Sequence, residues 1–370
     1  MLSQISCTDY ITRSFQFNLE MFKCNDSVPK TFMFDSTFQG FAGYSYTYFN
    51  NDQTSRPSAE ILHRAALKGD VELLRRTLDA GIPADSRDKE GTTALLLASR
   101  YNHYDCAKLL LEHGADPLAQ RSTESGNSLC YAARGGYLPL VQLLMKHKTN
   151  IEACGVDGAT PFLLACQCNH VDIAQEILDA NPEYEKRIIG CTTAMYVAAQ
   201  NGHTPIVRLL LNRGADINMQ RRIPPKAPDE LPSTNGTTPL FVACQYGHTS
   251  LVKNMVEWGA DVNITRDDGC SPLLKAIHKG YTNIVKFLLC KGAHYGLMKN
   301  GDSPLHAAAY FGHLTVLKAL IEHGADTDLK DKSGLTALEK AQEGGHQIAI
   351  RYLARIRDQL NSMGHAPLHF

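Results

Sequence analysis

The chain has 370 residues, 37 Lys and Arg against 38 Asp and Glu, and a formal net charge of −1. Hydrophobic content of 44% with 20% charged residues is that of a globular chain, and the charge balance excludes an electrostatic nucleic-acid binder, which needs a basic excess. No run approaches the roughly 18 consecutive apolar residues of a membrane span, and the polar N-terminus, with Asp9 and Arg13, is expected to carry no secretory leader.

Residues 1–57 do not repeat. They hold eight of the thirteen Phe, among them Phe15, Phe17 and Phe38, set between Ser, Thr, Asn and Asp, and the expectation is a largely disordered segment. The alternatives are an aromatic sticker segment or an arm over the first repeat. From Ser58 to Leu353 the sequence is periodic. Equivalent positions fall at Glu60, Thr93, Asn127, Thr160, Thr193, Thr238, Ser271, Ser303 and Thr336, so the period is near 33 residues except for one longer step. Thr, Ser or Asn there predicts a helix N-cap, and Pro161, Pro239, Pro272 and Pro304 follow at the first helical position, where a missing N–H costs nothing. Nine residues after each anchor stands Gly or Asn, from Gly69 and Asn102 to Gly345. These residue types tolerate the left-handed conformation that ends a short helix. A second helix follows in each copy, as at Ile206, Val207, Leu210 and Leu211, and a further Gly closes most copies, with Lys148 and Asn181 as exceptions.

The longer step, between Thr193 and Thr238, places about 12 extra residues near Arg221–Ser233. Arg222, Pro225 and Pro228 there have the spacing of an SH3-domain ligand; a solvated loop extension is the plainer reading. After Thr336 the last helix is expected to run on toward Leu360, with Ala349, Leu353, Ile356 and Leu360 on one stripe. Residues 354–370 then form a capping extension and tail.

With this period and the line Ser303-Pro304-Leu305-His306-Ala307-Ala308, the chain resembles the ankyrin-repeat family in nine copies. The resemblance implies an all-α repeat fold, an ankyrin solenoid of stacked helix-turn-helix units with projecting β-hairpin-like loops. Leu273-Leu274-Lys275-Ala276, Lys279-Gly280-Tyr281 and Lys299-Asn300-Gly301 are also similar to the ankyrin repeat domain-containing protein 29 group. In the family the two positions before the helix-ending Gly or Asn face outward on the concave side. Here they give Arg100, Tyr101, Arg134, Gln167, Gln200, Asn201, Gln245, Tyr246, His278, Lys279, Tyr310 and Phe311 as partner-binding residues. Exposed aromatic and Arg residues are a hot-spot composition. Asn218 and Asn263 look like the loop asparagines that an oxygenase hydroxylates in many family members; selection for turn geometry is the alternative.

Nothing catalytic emerges. The chain has no phosphate loop, no His-Glu-x-x-His and no Gly-x-Ser-x-Gly. His103, His170, His203, His248, His313 and His346 recur once per repeat, which spaces them along the stack instead of converging them on a metal. Eleven cysteines without CxxC pairs read as free thiols in a reducing compartment, the cytoplasm or alternatively the nucleus. The expectation is a monomeric, non-catalytic scaffold that binds proteins and needs no cofactor, metal, membrane or nucleic acid. The runner-up is a regulatory cofactor of transcription or signalling proteins, and the remotest reading is an enzyme subunit.

Overall fold

The computed structural model describes residues 57–120, 126–147, 149–152, 159–182, 184, 192–221, 236–294 and 302–362. Among them are eighteen α-helices and no strand. The chain divides into two compact units, Met1–Pro182 and Glu183–Phe370. The first holds α1 (Ala59–Lys68), α2 (Val71–Asp79), α3 (Ala94–Arg100), α4 (Tyr104–Glu112), α5 (Ser128–Gly135), α6 (Leu138–Lys146), α7 (Pro161–Gln167) and α8 (Val171–Ala180). The second holds α9 (Thr192–Asn201), α10 (Thr204–Asn212), α11 (Pro239–Tyr246), α12 (Thr249–Glu257), α13 (Pro272–His278) and α14 (Thr282–Cys290). It ends with α15 (Pro304–Tyr310), α16 (Leu314–Glu322), α17 (Ala337–Glu343) and α18 (Gln347–Ser362).

Within each unit the odd-numbered helices pack on one another in chain order, and each even helix lies against its own odd partner. Side-chain size explains the arrangement. The odd helices bury alanines at their contacts, Ala98, Ala132, Ala165, Ala243, Ala276 and Ala308 among them, so their backbones approach closely. The even helices bury Leu and Ile, such as Leu74, Leu110, Ile173, Ile284 and Leu320. No pair can hide its apolar face alone; the neighbouring repeat completes it.

The helix starts follow the sequence chemistry. Thr93, Asn127, Thr160, Thr238, Ser271, Ser303 and Thr336 sit in extended backbone and accept the N–H three residues on, as Thr238 does from Phe241 at 3.2 Å. Two anchors differ. In the first repeat Ser58, not Glu60, is the cap, and α1 begins two residues early because Ser58 supplies the acceptor, taking the Ile61 N–H. Thr193 lies inside α9, which already starts at Thr192.

All nine helix-ending positions adopt positive φ, including the non-glycines Asn102 (60°) and Asn169 (63°). Asn181 instead is extended, with φ −149°, so the turn after α8 departs from the others. The expected β-hairpin-like loops reduce to isolated antiparallel bridges, Arg87 with Thr93 and Arg221 with Thr237, among the described residues. The second of these closes the base of the 12-residue insert. Arg221 N donates to Thr237 O at 2.8 Å, and Gly236 N donates to Arg221 O at 2.9 Å. The helix α18 spans residues 347–362 and buries Ala349, Leu353 and Ile356 along one stripe, with Arg351, Arg355 and Arg357 exposed.

Candidate partner-binding face

The residues that end the odd helices lie beside the positive-φ positions. In the first unit Tyr101 is 41% exposed, and Arg134 and Gln167 are exposed as well. Arg100 is half-buried, its guanidinium 6.0 Å from the Tyr101 ring and 5.8 Å from Tyr131. The sequence reading did not single out Tyr131; its place on the preceding face of α5 becomes visible only when α3 and α5 pack.

In the second unit Gln200, Gln245, Tyr246 and His278 are half-buried, while Asn201 and Lys279 are exposed. Tyr310 is 47% exposed and Phe311 43%. The fold brings three of these together. Phe311 stands 5.3 Å from the His278 ring and meets Tyr310 edge-on at 5.3 Å, with His313 on its other side at 6.1 Å. Tyr246 differs: its ring stacks on His248 at 6.4 Å and is partly covered. Burial pushes the Tyr246 hydroxyl above its usual range. Burial, then the Lys275 charge, lowers His278 to about 4, so this ring is neutral at pH 7.

The once-per-repeat histidines act between repeats. His103 Nε2 donates to Leu67 O (3.0 Å), His170 to Arg134 O (3.1 Å), His248 to Gln200 O (2.7 Å) and His313 to His278 O (3.2 Å). Each bond satisfies an otherwise unpaired carbonyl at the end of the preceding odd helix, worth about 1 kcal/mol. The ring also fills the space over the preceding glycine. A Cβ added at Gly136 would lie 2.5 Å from His170 Cε1. His306 does similar work from the other end of its helix: its Nδ1 accepts the Ser303 N–H at 3.2 Å, and its Nε2 donates to Leu335 O at 3.0 Å. His113 and His323 cap their helix ends through Nδ1, on Leu109 O and Ala319 O. Among the described residues no group of three His, Cys, Asp or Glu could hold a metal.

Cys166 and Cys244 are fully buried, and burial raises both thiols far above the usual value. Cys106 is pushed up to about 11 by burial and then by Asp105. Cys168 is exposed, yet burial of its thiol raises it despite Arg134 nearby. Arg222, Pro225 and Pro228 lie outside the described residues.

Asn218 and Asn263 carry matching loop-to-loop bonds. Asn218 Nδ2 donates to Gly259 O (3.3 Å) and its Oδ1 accepts the Asp261 N–H (2.9 Å). Asn263 repeats this with Gly292 O (3.2 Å) and the His294 N–H (2.8 Å). Each amide therefore clips one loop onto the next. Near the first of these clips, an open depression of about 500 Å³ lies between the end of α10 and Trp258, lined by Arg208, Leu211 and Asp216.

In the last repeat Asp331 anchors the loop before α17. Its carboxylate accepts the Ser333 N–H (2.8 Å) and Leu335 N–H (2.9 Å) and pairs with Lys340 Nζ at 3.2 Å. The Leu335 N–H first, with Lys340 adding to it, holds Asp331 below the usual carboxylate range. A depressed folded value means stability that is complete above the unfolded pKa of about 3.9 and is lost as pH falls through the lower folded value. Asp331→Asn is therefore expected to flatten the fall in Tm between about pH 4 and pH 2, while lowering Tm at pH 7. Thermal unfolding followed by circular dichroism across that range measures it; an unchanged acid limb counts against this assignment.

Comparison with known families agrees with the geometry. The family described as "Ankyrin repeats (3 copies)" matches residues 45–121, 129–221, 223–299 and 294–362, most of the chain. The chain belongs to the ankyrin-repeat family. It is 30% identical over 326 residues to the "Ankyrin repeat and KH domain-containing protein mask-1" of Caenorhabditis elegans, covering 84% of this chain but 10% of that protein. The "Putative ankyrin repeat protein YahD" of Escherichia coli is 28% identical over 46% of this chain and 88% of its own length. The "B-cell lymphoma 3 protein homolog" of Mus musculus is 29% identical over 43% of this chain and 36% of its own. The ankyrin chain thus spans about a tenth and about a third of the two longer relatives. These matches establish the family and not the narrower group suggested by Leu273–Ala276. Among the described residues no helix is long and apolar enough to cross a membrane.

Proposed function

We propose that this ankyrin chain is a non-catalytic scaffold that holds partner proteins on its first-helix face, the concave side of the family's fold. The exposed Tyr310–Phe311 pair carries the reading: two large rings meet edge-on at 5.3 Å and stay open to solvent at the family's outward positions. Tyr101 with Arg100 makes a smaller patch of the same composition in the first unit. A pre-ordered helical stack gives up little conformational entropy on binding, so modest contacts convert well into affinity.

Affinity capture with the intact chain and with the Tyr310→Ala/Phe311→Ala variant tests this. Bound proteins should fall at least about tenfold, equivalent to ~1.4 kcal/mol, while Tm stays nearly constant. Undiminished capture, or a collapse of Tm, would refute a binding role for these rings.

A further inference from the structure

Lys275 and Lys340 occupy the same place in two repeats, four residues after the caps Ser271 and Thr336. Their surroundings are opposite in charge. Lys340 Nζ reaches Asp331 Oδ2 and Glu343 Oε2, both at 3.2 Å. Asp331 lies five residues before the cap and Glu343 seven after it. Around Lys275 those two places are taken by Arg266 and His278. The loop backbone is nonetheless the same: Asp331 N donates to Leu335 O at 2.9 Å, and Arg266 N to Cys270 O at 3.0 Å. The fold presents the same ammonium twice, and in one copy both carboxylates are missing.

The groups near Lys275 do not replace them. Arg266 is paired with Asp268 and lies over the Phe241 ring at 5.2 Å. His278 is neutral at pH 7, and Lys279 adds a second positive charge. Among the described residues no carboxylate pairs with the half-buried Lys275: Asp268, whose charge it senses, is held by Arg266, and Asp302 acts on His278. Burial lowers its affinity for the proton. A partly desolvated ammonium without a directly paired carboxylate is costly, and an incoming anion relieves that cost. The His278 ring, close enough to sense the Lys275 charge, touches Phe311, so the cation and the exposed ring pair lie on one continuous surface.

We propose that Lys275 receives a side-chain carboxylate of a partner peptide whose neighbouring apolar residue packs on Phe311 and Tyr310. This deepens the scaffold reading above and rests on it. A carboxylate is favoured because carboxylates satisfy the equivalent Lys340. A single Asp or Glu also suits one uncompensated ammonium better than a phosphate dianion does.

A phage-displayed random dodecapeptide library selected on the full chain supplies the probe. Enriched peptides should carry Asp or Glu within two residues of an aromatic or aliphatic side chain. A synthetic copy of the best peptide should bind at least tenfold more weakly to K275M, and also when its acid is changed to the amide, but equally to K340M. The Tm values give a second readout: K275M should hold or raise Tm, since it removes an unpaired ammonium and keeps the stem, whereas K340M should lower it. Acid-free peptides, or binding lost with Tyr310→Ala/Phe311→Ala yet indifferent to K275M, overturn the carboxylate subsite and leave the scaffold reading intact. Absence of enrichment, or binding indifferent to all these variants, overturns both. A fall in Tm for K275M as large as that for K340M shows a structural lysine and also overturns the subsite.

Discussion

Phe241→Ala is expected to lower the unfolding free energy of the second unit by about 3–5 kcal/mol, the range for truncating a fully buried Phe. Phe241 is 1% exposed in α11, which packs against both α9 and α13. The cap bond from its backbone N–H to Thr238 survives the change, so the loss comes from the cavity and from lost contacts. The ring is also the platform beneath Arg266, whose guanidinium stays paired with Asp268. Urea unfolding followed by circular dichroism measures the effect, with Phe241→Leu as the control at under about 1.5 kcal/mol. A loss below about 1 kcal/mol for Phe241→Ala would mean that the ring is not a core residue.

Gly344→Ala is expected to cost about 3 kcal/mol and to loosen α17 and α18 first. Gly344 has φ −73° and ψ −10°, a conformation any residue adopts, so backbone strain is not the reason. A Cβ there would lie 2.2 Å from the backbone carbonyl oxygen of Tyr310, which cannot swing aside like a side chain. The next residue makes the contrast. Gly345 has φ +72° and open space around it, so Gly345→Ala should cost only the left-handed penalty of about 1–2 kcal/mol. Hydrogen exchange should show α18 amides opening early in Gly344→Ala and much less in Gly345→Ala. The reverse order would refute the packing of the last repeat on Tyr310.

That pair of glycines shows what was legible. Gly345 belongs to the 33-residue pattern, and its left-handed backbone could be read from its spacing after Thr336. Gly344 follows no pattern, because its constraint comes from a carbonyl 34 positions earlier in the chain. The histidines divide in the same way. Their recurrence after six of the nine helix-ending residues marked them as structural, but their partner carbonyls, from Leu67 to His278, appear only when successive repeats stack. The aromatic face was legible in composition and not in degree. Tyr246 and Phe311 occupy equivalent positions eight residues after their caps, yet Tyr246 is half-covered and Phe311, with Tyr310 beside it, is open.

The order of amino acids by itself determined the repeat, its period, its caps and its left-handed helix ends. Those depend on bonds within a few residues of each hydroxyl, proline or glycine. Folding decided which rings stay in water, which carbonyl each recurring histidine reaches and which glycine tolerates no methyl group. Those properties are set by side chains and carbonyls some thirty residues away, brought within 3–6 Å only by the packing of one repeat on the next.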